Sequence, residues 1–174
     1  TPEKRKFFFE NVCTSDWNEN QDAGYPIANA TAEKLAEFPE WEKPIRDFYG
    51  RWEEMLGDAI HDTVEIFREL KQNPDLKFYA LTNWSAETFP VALDRFEFLQ
   101  WFDGILVSGE EKTRKPFADF YQLLFEKFSI NPAAAIFIDD NVRNVKGGEE
   151  HGMTSIRFTN PADLKKILRK MNVL

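Results

Sequence analysis

The sequence has 174 residues, enough for one compact domain or for a core domain with a small insertion. Its net charge of −8 argues against nucleic acid as the partner, because phosphate backbones select basic surfaces; a small anion stays compatible where a local cation overrides the global field. No apolar run approaches the ~20 residues of a membrane span, and the opening Thr1-Pro2-Glu3-Lys4-Arg5-Lys6 has no signal-peptide core, so no membrane partner is expected.

Cys13 is the single cysteine, forms no internal disulfide and fits a reducing cytoplasm. The 17 Phe and 5 Trp predict a sizeable core or an apolar pocket. The first part of the chain, to about residue 72, has helical periodicity throughout. Lys4 to Val12 is one helix, and Thr31 reads as the N-cap of a short helix ending at Phe38. Pro44 opens another, and Asp62 with Glu65 makes a capping-box-like start for Val64 to Lys71. The Phe7-Phe8-Phe9 run is expected to pack the helical part onto the rest.

From Lys77 the rhythm changes. Four short apolar strands, Phe78 to Leu81, Gly104 to Val107, Ala135 to Ile138 and Ser155 to Phe158, alternate with helices over Ala86 to Phe96, Phe117 to Phe128 and Val142 to His151. Asn131-Pro132 and Asn160-Pro161 each read as an N-cap followed by Pro at the first helical position. Strands alternating with crossover helices predict an α/β fold with a doubly wound parallel sheet, whose ligands bind at the carboxyl ends of the strands.

Three strand ends carry chemistry. The first strand runs into Thr82-Asn83, a hydroxyl beside the N–H groups of a turn entering a helix, which is either an anion anchor or a helix cap. After the second strand, Lys115 precedes Pro116, which is expected to open the next helix; the lysine is either a fixed cation that neutralises phosphate or carboxylates or part of a solvated basic turn. The third strand ends in Asp139-Asp140, two adjacent carboxylates that repel; capping of the following helix accounts for one of them, and a hard divalent cation, with Asn144 a further oxygen ligand, accounts for both. Trp84 is either a pocket wall or core, and His61 and His151 stand too far apart in sequence to form a metal or base site.

In combination, Thr82-Asn83, Lys115-Pro116 and Asp139-Asp140 with Asn144 resemble the haloacid dehalogenase-like hydrolase superfamily. The resemblance places Thr82 at the phosphate-binding Ser/Thr and Lys115 at the charge-stabilising lysine. Asp139, Asp140 and Asn144 fall on the acidic Mg²⁺ motif. It extends to Phe7 through Leu56, including Trp17, Asp22 and Gly24, which look like the family's small helical cap. It therefore implies residues 1–72 as cap with part of the return linker, and 73–174 as a Rossmann-like core.

The family's first motif, Asp-x-Asp or Asp-x-Gly ending the first core strand, has no counterpart before Lys4, and neither Asp16 nor Asp22 follows an apolar run. The expectation is that this strand, carrying the nucleophile, belongs to a segment outside these residues and lies centrally in the sheet. The resemblance implies a Mg²⁺-dependent phosphatase acting on a small phosphorylated metabolite through an aspartyl-phosphate, as a monomer or homodimer. Two alternatives are a 2-haloacid dehalogenase, whose acidic motif is typically replaced by hydroxyl residues, and a catalytically inactive interaction module.

Overall fold

A computed structural model describes residues 1–174, which form two compact units. The first comprises residues 1–58, 83–95 and 107–114, the second 59–82, 96–106 and 115–174. Each is described in turn.

The first unit is helical. It contains α1 (Pro2–Phe7), α2 (Ser15–Asp22), α3 (Ile27–Glu37), α4 (Glu42–Gly50), α5 (Trp52–Met55), α7 (Phe89–Arg95) and α8 (Ser108–Glu111). The predicted single helix from Lys4 to Val12 instead widens after Phe7. Over Phe8–Val12 the bonding shifts to i→i+5, with Cys13 N donating to Phe8 O at 2.9 Å. This turn buries Phe8, Val12 and Cys13 against Trp17, Ala30 and Ile45. Of the Phe run, Phe8 alone is buried, inside this unit's own core, while Phe7 and Phe9 stay exposed. The expected packing of all three is thus corrected, because successive helical residues point about 100° apart. Ile45, Phe48 and Tyr49 of α4 meet the same core from one helical face.

The second unit is the α/β part. It holds α6 (His61–Leu70), β1 (Tyr79–Thr82), β2 (Gly104–Val107), α9 (Ala118–Phe128), β3 (Ile136–Asp139), α10 (Val142–Glu150), β4 (Thr154–Arg157) and α11 (Pro161–Lys170); the last residue of β2 groups with the first unit. Neighbouring strand residues face opposite sides. Phe137 joins Leu81, Leu106 and the α9 residues Phe120, Tyr121 and Leu124. Its neighbour Ile136 packs with Ile66 and Leu70 of α6 and with Leu164 and Leu168 of α11. Both faces are therefore covered by helices, as the doubly wound reading expects. Ile66 and Leu70 of α6 belong to this cluster, and residues 59–72 group with the α/β unit.

The strands form two pairs. β1 bonds β2, and β3 bonds β4 in parallel, with Ile136 opposite Thr154 and Asp139 opposite Arg157. β1 and β3 are each bonded on one side only.

Candidate active site

Asp139 is the last residue of β3 and 9% exposed; Lys115, in the loop before α9, is 8% exposed. The Lys115 ammonium donates to Asp139 Oδ2 at 2.7 Å and lies 5.7 Å from the centre of the Phe137 ring. Asp139 Oδ1 accepts from the Asn141 N–H at 2.8 Å and from Asn144 Nδ2 at 3.0 Å. Such a buried ion pair holds because the Asp139 carboxylate has further hydrogen-bond donors and the Lys115 charge also meets the Phe137 ring.

Local sequence sets this arrangement. Asn141 caps α10 by accepting from Arg143 N at 3.0 Å, which starts the helix two residues beyond the strand. One turn in, Asn144 is buried and returns its amide to Asp139. Tyr121 of α9 donates to the Asn144 carbonyl at 2.8 Å, and Gly147 admits the Tyr121 hydroxyl against α10, since a Cβ there would lie 2.7 Å from it. Burial first, then the Asp139 charge, pushes the Tyr121 phenol above its usual range, so it stays a donor. Tyr121 is a support that the sequence did not single out, since its spacing on α9 is that of any core aromatic.

The structure thus brings Lys115, Asp139 and Asn144 into one network. Asp140 is exposed beside it at the strand end, and Thr82 ends β1, half-buried. Asn83 opens the turn after β1 and groups with the first unit. Pro116 does not open a helix: the Lys115–Pro116 bond is cis and α9 begins at Ala118.

The predicted metal ligands divide by role. Asp139 already accepts on both oxygens and Asn144 turns its amide to Asp139, which leaves Asp140 as the exposed carboxylate of the three. No group of three or more His, Cys, Asp and Glu gathers to form a cage. Mg²⁺ asks for less, taking one or two protein carboxylates with waters and substrate phosphate oxygens. The residues present therefore fit Mg²⁺ as part of a site.

A family model of haloacid dehalogenase-like hydrolases matches residues 8–152. The drimenol cyclase of Aspergillus calidoustus is 32% identical over 176 residues, which cover 97% of this chain and 32% of that protein. The sesquiterpene phosphatase of Aspergillus oryzae is 32% identical over 96 residues, 55% of this chain and 48% of that protein. The chain thus spans from about a third to about a half of the length of these curated relatives. A haloacid dehalogenase family enzyme from Bacteroides thetaiotaomicron, solved as a magnesium complex, superposes with a TM-score of 0.73 at 20% identity, covering 95% of this chain and 86% of that one; this likeness speaks to the fold. The family match takes in β1, the Lys115 loop and the end of β3 together, and the chain belongs to the haloacid dehalogenase-like hydrolases.

Proposed function

We propose that the protein is a Mg²⁺-dependent phosphatase of a small phosphorylated organic molecule, with its nucleophilic Asp on a core strand that pairs between β1 and β3. The observation that carries this reading is the buried Lys115–Asp139–Asn144 network with Asp140 exposed beside it at the end of β3. A dehalogenase has no phosphate to neutralise, so paired carboxylates with a buried lysine favour phosphoryl chemistry. One curated relative carries the name sesquiterpene phosphatase, which points the same way.

In this mechanism the Asp carboxylate attacks phosphorus, the ester P–O bond breaks and the alcohol leaves; water then hydrolyses the aspartyl-phosphate. Lys115, fixed by Asp139, stabilises charge on the phosphoryl oxygens, and Thr82 with the Asn83 N–H donates to them. Asp140 would hold Mg²⁺, with Asp139 and Asn144 ordering the strand end behind it; the ion would offset the charge of the transferring group. The helical segment serves as the cap that selects the organic part, and residues 73–174 as the catalytic core.

The test is phosphate release by full-length protein from sugar phosphates, nucleotides, phospho-acids and terpenyl phosphates, with Mg²⁺ and with excess chelator. The expected result is turnover that chelator abolishes and Asp140→Asn cuts, each tenfold loss equalling about 1.4 kcal/mol of transition-state stabilisation. Halide release from 2-haloacids without phosphate release would replace this reading by the dehalogenase. Neither activity would leave the interaction module.

A further inference from the structure

The turn that follows Thr82 is held by a set of hydrogen bonds that the reaction above does not use. Ser108 Oγ donates to the main-chain carbonyl of Asp22 and accepts from Trp84 N at 2.8 Å. The Asp22 carboxylate accepts the Ser85 N–H and, at 3.2 Å, Asn18 Nδ2. Gly109 N donates to Trp84 O at 3.1 Å, and Gly109 permits this approach because a Cβ there would lie 2.3 Å from Ala86 N. Glu87, in the same turn, accepts from Ile27 N at 2.8 Å. Residues far apart in sequence, at 22, 84–87 and 108–109, thus lock one turn, and Asp22 holds it from both its main chain and its side chain. All of them lie in the first unit.

We propose that Asp22 is a positioning residue, whose carboxylate fixes the turn Asn83–Ser85 and thereby the phosphoryl anchor at Thr82 and Asn83. The proposal rests on the phosphatase reading for its effect on turnover. The turn ahead of α7 does not by itself require a charged group, because Ser85 Oγ already accepts from Glu87 N at 3.2 Å within it. Burial raises the Asp22 carboxyl from 3.8 to about 6, and the Ser85 N–H and the Arg114 charge only partly oppose it. The charged and titratable groups around it are Glu19 on its own helix, Arg114 after α8 and Tyr49 on α4, with Glu87 of the turn near Tyr49. Arg114 is ion-paired to Glu19 at 2.7 Å. The arrangement therefore keeps an ionised carboxylate where the unit would hold a neutral one more easily. Above pH 6 it accepts the Ser85 N–H as an anion; below, protonation weakens that bond.

The test compares wild-type, Asp22→Asn and Asp22→Ala full-length protein. In wild type the Ser85 amide should titrate near pH 6 by NMR, and its protection against hydrogen exchange, taken relative to the intrinsic rate at each pH, should fall below that pH. In Asp22→Asn the titration should vanish, and in Asp22→Ala protection should be lost at every pH. With a phosphate ester and Mg²⁺, kcat should fall roughly 10- to 100-fold in both variants with a smaller change in KM, as expected for lost orientation. Asp22→Asn should also lose the component of the acid limb near pH 6. Its Tm at pH 8 should rise, whereas a purely structural residue would give a fall. A Ser85 amide indifferent to pH, or an Asp22→Asn variant with wild-type kcat and pH profile, would overturn the proposal. If wild type hydrolyses no phosphate ester, the phosphatase reading fails by itself, and the Ser85 amide still decides whether Asp22 holds the turn.

Discussion

Lys115 and Asp139 are each over nine-tenths buried and bonded at 2.7 Å, so removing one strands the other's charge. Lys115→Met should cost about 3–5 kcal/mol in denaturant unfolding, while the pair exchanged together for Met and Leu should recover most of that. Recovery would mean the pair is kept for chemistry rather than for stability. Asp22 behaves in the opposite sense. Its folded pKa, about 6, lies above its ordinary 3.8, so the folded state binds the extra proton between those values. Stability from this group is full below about pH 4 and is lost as pH rises through 6. At ~1.4 kcal/mol per pH unit the ionised group costs the fold on the order of 3 kcal/mol near neutrality. Asp22→Asn should therefore raise Tm at pH 8 and converge on wild type near pH 4, read by thermal melts across pH. That Thr82 ends β1 and Asp139 ends β3 was legible to within a residue, because the chain order of strand, turn and helix marks strand ends without any tertiary knowledge, whereas the contact of Lys115 with Asp139 was not. The Asp22 clamp was not, because its partners at 84–87, 108 and 114 meet only in the fold.

Elements were legible in kind and less so at their ends. β2 begins and ends where alternation put it, and the other three strands shift by one residue, because an apolar run marks burial rather than hydrogen bonding. α3 begins at Ile27, four residues before the predicted cap Thr31, since its first N–H bonds Glu87 sixty residues away. α4 begins at Glu42, with Pro44 inside its first turn, where no N–H is required. α6 starts at His61 with no side-chain cap, so the Asp62–Glu65 box does not form. α10 shows what an element contributes to the site. Gly147 sits on the Tyr121 ring that bonds the Asn144 carbonyl. Gly147→Ala should gain up to ~1 kcal/mol of helix propensity and lose about 1–3 kcal/mol to overpacking, a net fall in Tm. Because the clash lies beneath Asn144, turnover should fall with it, whereas Gly57→Ala, with open space around it, should change neither.

At the scale of the molecule, the sheet is two pairs over shared helical layers, and the backbone says which groups face away from each pair. Phe78 exchanges bonds with Asp103 on the β2 side: its carbonyl accepts Asp103 N at 2.7 Å, and its N–H donates to the Asp103 carboxylate at 2.8 Å. Alternation then turns the main-chain groups of Tyr79 and Leu81 to the other edge. In β3 the carbonyls of Ala135 and Asp139 accept from Thr154 and Phe158, so Ile136 and Ile138 present theirs away from β4. Ile138, an apolar residue of a short strand, is 38% exposed. Unpaired strand groups are costly when buried and invite another strand, at ~1–3 kcal/mol for each unsatisfied group. The proposed Asp-bearing strand would bond both edges at once. Hydrogen exchange distinguishes this from two independent pairs: in a chain beginning at Thr1, the amides of Tyr79, Leu81, Ile136 and Ile138 should exchange quickly while those of Phe137 and Asp139 stay protected. In full-length protein all six should be protected together, approaching the global stability. Fast exchange of those four in an active full-length enzyme would show that the nucleophile enters the sheet elsewhere.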